Sequence, residues 1–253
     1  MASSVKEWVA QLASEKPAEA FKGYKQAEDA ATRATAPGKE SARAELAAAL
    51  AAELNAKTAP RKDEKGKTIG PEPMYKPVVH GKICRLLACV AGAKEVPALV
   101  EALGNLSVRE PARCALAANA SAEATEALIK ALEEVGAEFR VGVVNALGKR
   151  PGEKVVSVLR KAAAGDEAPE VRIAAVEALA NIPEPANAEV VLKATQCKCP
   201  VGATRAWKAA VRLAENLRKV GMKSEAAELY RKIEASGPKA QKAAAGIGLK
   251  AKG

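Results

Sequence analysis

The stretch Glu170-Val-Arg-Ile-Ala-Ala-Val-Glu-Ala-Leu-Ala180 has an earlier echo in Glu138-Phe-Arg-Val-Gly-Val-Val-Asn-Ala-Leu-Gly148. Each copy opens on an acid, an apolar residue and an arginine, then carries apolar side chains at helical spacing. The pattern extends outward from 78 to 181. Val78, Val108, Phe139 and Val171 align, as do Leu86, Leu116, Leu147 and Leu179, at spacings of 30, 31 and 32 residues. A basic residue follows the first anchor at Arg109, Arg140 and Arg172. Between these segments lies a second apolar set: Val96, Leu99, Val100 and Leu103; Leu128, Ile129 and Leu132; Val155, Val158 and Leu159. Each period therefore reads as two short amphipathic helices. One such pair cannot cover its own apolar face, so neighbours must stack.

These units resemble HEAT repeats, in the short form also seen in phycobilisome-lyase-like proteins. The resemblance implies an all-α fold, a right-handed α-solenoid. It also implies a ladder between successive repeats, formed by the arginine and an acid six residues before it in the inter-helix turn. Asp166 precedes Arg172 and Glu134 precedes Arg140 in this way, whereas Leu103 precedes Arg109 and breaks the series. The order of segments, with Cys84-Arg-Leu-Leu-Ala88, Ala112-Arg-Cys-Ala-Leu116 and Phe139-Arg-Val-Gly-Val143, is similar to HEAT-rich proteins of planctomycete-type bacteria. The resemblance carries over no catalytic residue.

Residues 1–57 read as an N-terminal helical cap of three helices. Ser4 is placed to cap the first, Pro17 to open the second, and Leu46, Leu50 and Leu54 mark the third. Trp8, Phe21 and Tyr24 are expected in the cap core. Residues 58–77 are rich in Pro, Gly and charge and read as an irregular loop, with Met74 and Tyr75 pinning its end. The Gly66-Lys67-Thr68 triplet there lacks the earlier glycine and the flanking strand and helix that a phosphate loop requires. HEAT-like repeats are expected over 78–190 and basic hairpins over 191–253. The second of these resembles a tetratricopeptide hairpin through Leu213, Leu217, Gly221, Glu225-Ala226 and Tyr230. The tail after Gly237-Pro238 resembles the first helix of a further repeat, leaving an open end for self-association.

Of the net charge of +10, the whole excess lies in 191–253, with 14 Lys/Arg against 4 Asp/Glu. Lys193, Lys198, Arg205, Lys208, Arg212, Arg218, Lys219 and Lys223 are the candidate contacts to phosphate or to an acidic partner. Arg205, Lys208 and Arg212 share a helix face, and Trp207 is expected between helices. Nucleic-acid binding through this region is the alternative function.

The first expectation is a non-enzymatic scaffold that binds another protein, with Glu101, Lys130, Glu133, Lys154 and Arg160 on second helices as candidate contacts. No cofactor or metal site is expected. The single histidine, His80, has no nucleophile beside it in a recognisable motif and reads as a partly exposed helix-terminal residue. Cys84, Cys114 and Cys89 read as small core hydrophobes. Cys197 and Cys199 lack the second ligand pair of a structural zinc site. An aromatic content of 3% counts against a glycosylase cleft, and nothing marks a tetrapyrrole pocket. No apolar run is long enough to span a membrane. Five scattered cysteines and an N-terminus without an apolar core point to a reducing compartment, the cytoplasm.

Overall fold

Proline in first turns, alanine along helix interiors and recurring Leu and Val anchors set the local structure. The computed structural model describes residues 1–62, 64, 68–150 and 152–251. Among these it forms fourteen α-helices, one turn of 3-10 helix and one pair of two-residue strands. The chain divides into two compact units, 1–128 and 129–253.

In the first unit, α1 (Ala2–Leu12) lies on α2 (Pro17–Ala34) and buries Val5, Val9 and Leu12. The crossing needs glycine: a Cβ at Gly23 would fall 2.5 Å from the Trp8 carbonyl oxygen. The helix α3 (Glu40–Leu54) buries Leu46, Leu50 and Leu54. Both α2 and α3 pack on α4 (Pro77–Val90), and Arg43 Nε donates to the Val90 carbonyl at 3.0 Å. Two expectations fail here. Ser4 lies inside α1, which starts at Ala2, so it caps nothing. Phe21 is 67% exposed, and Trp8 and Tyr24 are half-buried. The inward face of α2 is Gly23, Ala27, Ala30, Ala31 and Ala34, which brings backbones too close for rings. Tyr24 instead lies beneath Lys82 Nζ, 5.3 Å from its ring centre.

The stretch 58–77 is not wholly irregular. Strands β1 (Arg61–Lys62) and β2 (Thr68–Ile69) pair antiparallel, Arg61 opposite Ile69 and Lys62 opposite Thr68. Thr58 N donates to Glu72 O and Met74 N to Ala56 O, each at 2.8 Å, which closes the base of the excursion. Pro60 and Pro71 flank the paired residues, where a missing N–H costs no ladder bond. Gly66 and Lys67 of the Gly-Lys-Thr triplet lie outside the described residues. Tyr75 anchors the end: its hydroxyl donates to Glu53 Oε2 at 2.6 Å. The Met74 side chain stays 47% exposed.

Beyond the excursion, α4 packs on α6 (Arg109–Ala118), and α5 (Val96–Gly104) packs on α6 and α3. Leu86, Leu99 and Leu116 are all buried. The aligned anchor Val78 is not: it is 64% exposed, and Val79 is buried in its place. Pro77 opens α4 and phases it so that Val79, Ile83, Leu86, Leu87 and Val90 face inward. Val100, expected inward, is 40% exposed. The helix α7 (Ala122–Glu134) carries the division between the units.

In the second unit, α8 (Ala137–Leu147) packs on α10 (Pro169–Leu179), and α10 on α12 (Pro200–Lys219). Alongside, α9 (Glu153–Gly165) packs on α10, and α11 (Asn187–Ala194) on α12. Leu147, Leu159, Leu179 and Val191 are each 0% exposed. A fully buried side chain of this size contributes about 1.5–3 kcal/mol. A Cβ at Gly148 would fall 2.6 Å from Ala178 Cβ, so α8 and α10 touch backbone to side chain there. The helix α13 (Lys223–Ser236) returns along α12 and buries Tyr230 and Ile233. Finally α14 (Lys239–Lys250) rests on α13, its Gly248 against the Tyr230 ring, and leaves Ile247 71% exposed.

The arginine ladder pairs differently from the expectation. Arg172 Nη1 donates to the backbone carbonyls of Asp166, at 2.5 Å, and Glu167, at 3.1 Å. Arg109 Nε likewise donates to the Leu103 carbonyl at 3.1 Å, so leucine six residues back does not stop the contact. With its carbonyl held by Arg172, Asp166 turns its carboxylate toward the previous repeat, 3.2 Å from Arg140 Nη2. Glu134 does not meet Arg140 but sits 3.6 Å from Lys130 on its own helix.

Candidate partner-binding surfaces

The second helices divide the five candidate contacts into two kinds. Lys130 and Glu133 on α7 and Lys154 on α9 are exposed. Lys130 makes the helical i,i+4 pair with Glu134, a contact that solvent keeps weak. Arg160 on α9 is a structural group instead. Its Nε and Nη2 donate to Asn187 Oδ1 at 3.0 and 2.8 Å, and Nη2 also reaches Glu184 at 3.3 Å. Asn187, fully buried, spends its amide on the Leu179 and Ile182 carbonyls at 3.2 and 3.1 Å. This network ties α9 to α11 and closes the end of α10. Sequence reasoning missed Asn187; the one signal was an amide just after Ile182-Pro-Glu-Pro185 at a helix start.

Glu101 is also committed internally. It accepts from Asn55 Nδ2 and Lys57 Nζ, both at 2.8 Å, and so fastens the end of α3 to α5. These residues line a cavity of about 120 Å³ at the base of the hairpin, together with Leu54, His80 and Asn105. His80 is buried, not partly exposed as expected: Nδ1 lies 3.2 Å from the Lys76 carbonyl and Tyr75 stands edge-on at 6.0 Å. The hairpin base covers what would otherwise be an open helix start. The cavity lining contains no Ser, Thr or Cys, and its one carboxylate and one ammonium are paired with each other. It offers shape and hydrogen bonds but no nucleophile. In the second unit, the turns after α8 and α10 line a cavity of about 340 Å³ with Lys149, Arg150 and Asn181. Burial draws the Arg150 guanidinium below its ordinary pKa.

The basic C-terminal residues separate by type. The candidate arginines 205, 212 and 218 are half-buried, while Arg231 is exposed. Arg205 forms a bidentate pair with Glu177 at 2.8 and 2.6 Å, which raises the Arg205 pKa. Arg212 Nη1 donates to Asn181 at 3.3 Å, and Arg218 lies beside the Tyr230 hydroxyl. Lys193, Lys198, Lys208, Lys219 and Lys223 remain exposed. The shared face of Arg205 and Arg212 is thus spent on α10, not presented as a fork for phosphate. Trp207 is half-buried, with its ring 3.5 Å from where a Gly237 Cβ would lie.

The cysteines also depart from expectation. Cys84 is buried, and burial, followed by the nearby Cys114, pushes its thiol up to about 12. Cys89 and Cys114 are exposed. Cys84 is covered because α4 packs on α2, α3 and α6, whereas α6 packs on α4 and α5. Cys114 Sγ lies 3.2 Å from Arg113 Nη2. Among the described residues no three His, Cys, Asp or Glu side chains group as metal ligands. No helix among them is long and apolar enough to cross a membrane.

Residues 96–180 and 125–207 match the family of HEAT repeats. No curated protein matches the chain in sequence. Among solved structures, the chain is similar to the complex of CpcE and CpcF of phycocyanin lyase from Nostoc sp. PCC7120. That likeness has a TM-score of 0.46 at 18% identity, over 97% of this chain and 93% of that one. It is also similar to a designed armadillo repeat protein, with a TM-score of 0.38 at 18% identity over 82% of this chain and 98% of that one. Human deoxyhypusine hydroxylase gives 0.38 at 16% identity over 85% and 97%.

Proposed function

We propose that this chain, which carries HEAT repeats over residues 96–207, is a non-enzymatic scaffold that binds a partner protein through exposed second-helix side chains. The HEAT-repeat match carries this reading. Repeats of this kind stack to bury their anchors and expose one row of polar side chains per helix, which suits an extended or helical partner segment. Lys130, Glu133 and Lys154 supply that row on α7 and α9. Arg160 supports α9, one of the helices that carry it, whereas Glu101 fastens α3 to α5. The mixed charge of the row favours a partner with both signs, because like charges at an interface cost several kcal/mol.

The test is affinity capture with a triple variant, Lys130→Glu, Glu133→Lys and Lys154→Glu. The wild-type chain retains a defined protein, and the variant loses it at an unchanged melting temperature. Equal retention by both, or retention of nothing by either, overturns the proposal. Duplex DNA is the control probe. A steep fall in affinity with salt, corresponding to several released counterions, would put the basic C-terminal region first instead.

A further inference from the structure

Cys197-Lys-Cys199 joins α11 to α12, and neither the core nor the proposed binding row uses it. The chain turns tightly here, with Cys197 N donating to the Ala194 carbonyl at 3.3 Å. Both thiols are free and exposed. Cys199 is the residue that caps α12: its Sγ accepts from Gly202 N at 3.5 Å. Cys197 Sγ donates to the Cys199 carbonyl at 3.3 Å. The two sulfurs converge over Gly202, since a Cβ there would lie 3.0 Å from Cys197 Sγ and 3.8 Å from Cys199 Sγ. Glycine at 202 therefore leaves open the space that both thiols share. Exposed Lys198 lies between the two cysteines, and exposed Lys193 four residues before Cys197.

We propose that Cys197 and Cys199 form a redox-active dithiol that reacts with small anionic disulfides of the glutathione class. Cys199, whose sulfur faces the helix N–H groups, attacks one sulfur of the disulfide as its thiolate and expels one thiolate. Cys197 then attacks Cys199 Sγ and expels the second. Two cysteine thiols are oxidised to one disulfide, one small disulfide is reduced to two thiols, and the two cysteine protons end on those thiols. The spacing suits ring closure, because residues two apart across a turn fall within the Cα separation of about 4.4–6.8 Å that disulfides need. The positive charge of Lys193 and Lys198 attracts the anionic reagent.

The experiment treats the folded full chain with oxidised glutathione, then digests it with trypsin without reduction. Cleavage after Lys198 separates the two cysteines unless a disulfide joins them. The expected result is that fragments 194–198 and 199–205 remain linked and part on reduction. Cys89, exposed, and Cys114, whose neighbouring thiol Cys84 is buried, carry mixed disulfides at most. In Cys197→Ser the mixed disulfide is trapped on Cys199. In Cys199→Ser, Cys197 reacts no faster than Cys89. The proposal is overturned if 194–198 and 199–205 separate in the wild-type digest, whether unmodified or each bearing its own mixed disulfide, while Cys114 reacts. It is equally overturned if Cys197 reacts ahead of Cys199 in the single variants.

Discussion

At the scale of single residues, buried polar groups hold the second unit together. Asn187 accepts from Arg160 and donates to two helix-end carbonyls. Asn187→Ala strands all of these, and the expected loss is about 3 kcal/mol, read as a lower melting temperature in calorimetry. Asp166 is the second such group, its carboxylate side chain 9% exposed against Arg140. Asp166→Ala is expected to cost about 3 kcal/mol. Arg172→Ala, which removes only the support of the turn, costs about 1–2 kcal/mol; unchanged melting of both variants would contradict the ladder. Tyr75 gives a pH signature. Burial first, and then the bond to Glu53, raise its pKa. A raised value favours the neutral phenol, so its contribution is full below about pH 10 and is lost as pH climbs through the raised value. Burial also raises the Tyr230 pKa, so phenolate absorbance should show late components from both tyrosines, of which Tyr75→Phe removes one. Asp166, Arg140, Arg172 and Tyr75 stood out in the sequence, but the groups they bond to, and Asn187 itself, did not. Their roles depend on which backbone carbonyl lies opposite, and periodicity does not report that.

At the scale of elements, the repeat anchors were legible because they obey helical spacing. Leu86, Leu116, Leu147 and Leu179 are buried as their alignment requires. Val78 was misplaced because Pro77 shifts the start of α4 and hands the inward position to Val79. Phe21 misled for a different reason: spacing names a face but not the depth available, and α2 packs through glycine and alanine. The same closeness yields a prediction. Gly148→Val forces α8 away from Ala178, and Gly23→Ala forces α1 from α2; each is expected to cost about 1–3 kcal/mol by overpacking. Far-ultraviolet circular dichroism during heating checks both. The basic cluster was legible as charge and not as function. Sequence counts Arg and Lys alike, but guanidinium forks find acids and amides on neighbouring helices, and ammonium groups stay in water.

At the scale of the whole molecule, the two compact units are each held by stacked helices and each complete their own ion-pair and amide networks. The proposed partner row on the second helices is made of the exposed Lys130, Glu133 and Lys154. Hydrogen exchange of the chain, alone and with the protein it captures, tests that assignment most directly. The account predicts added protection on α7 and α9, with α12 and α14 unchanged. Protection confined to the lysine-rich helices α12 to α14, or no change on any second helix, would contradict it.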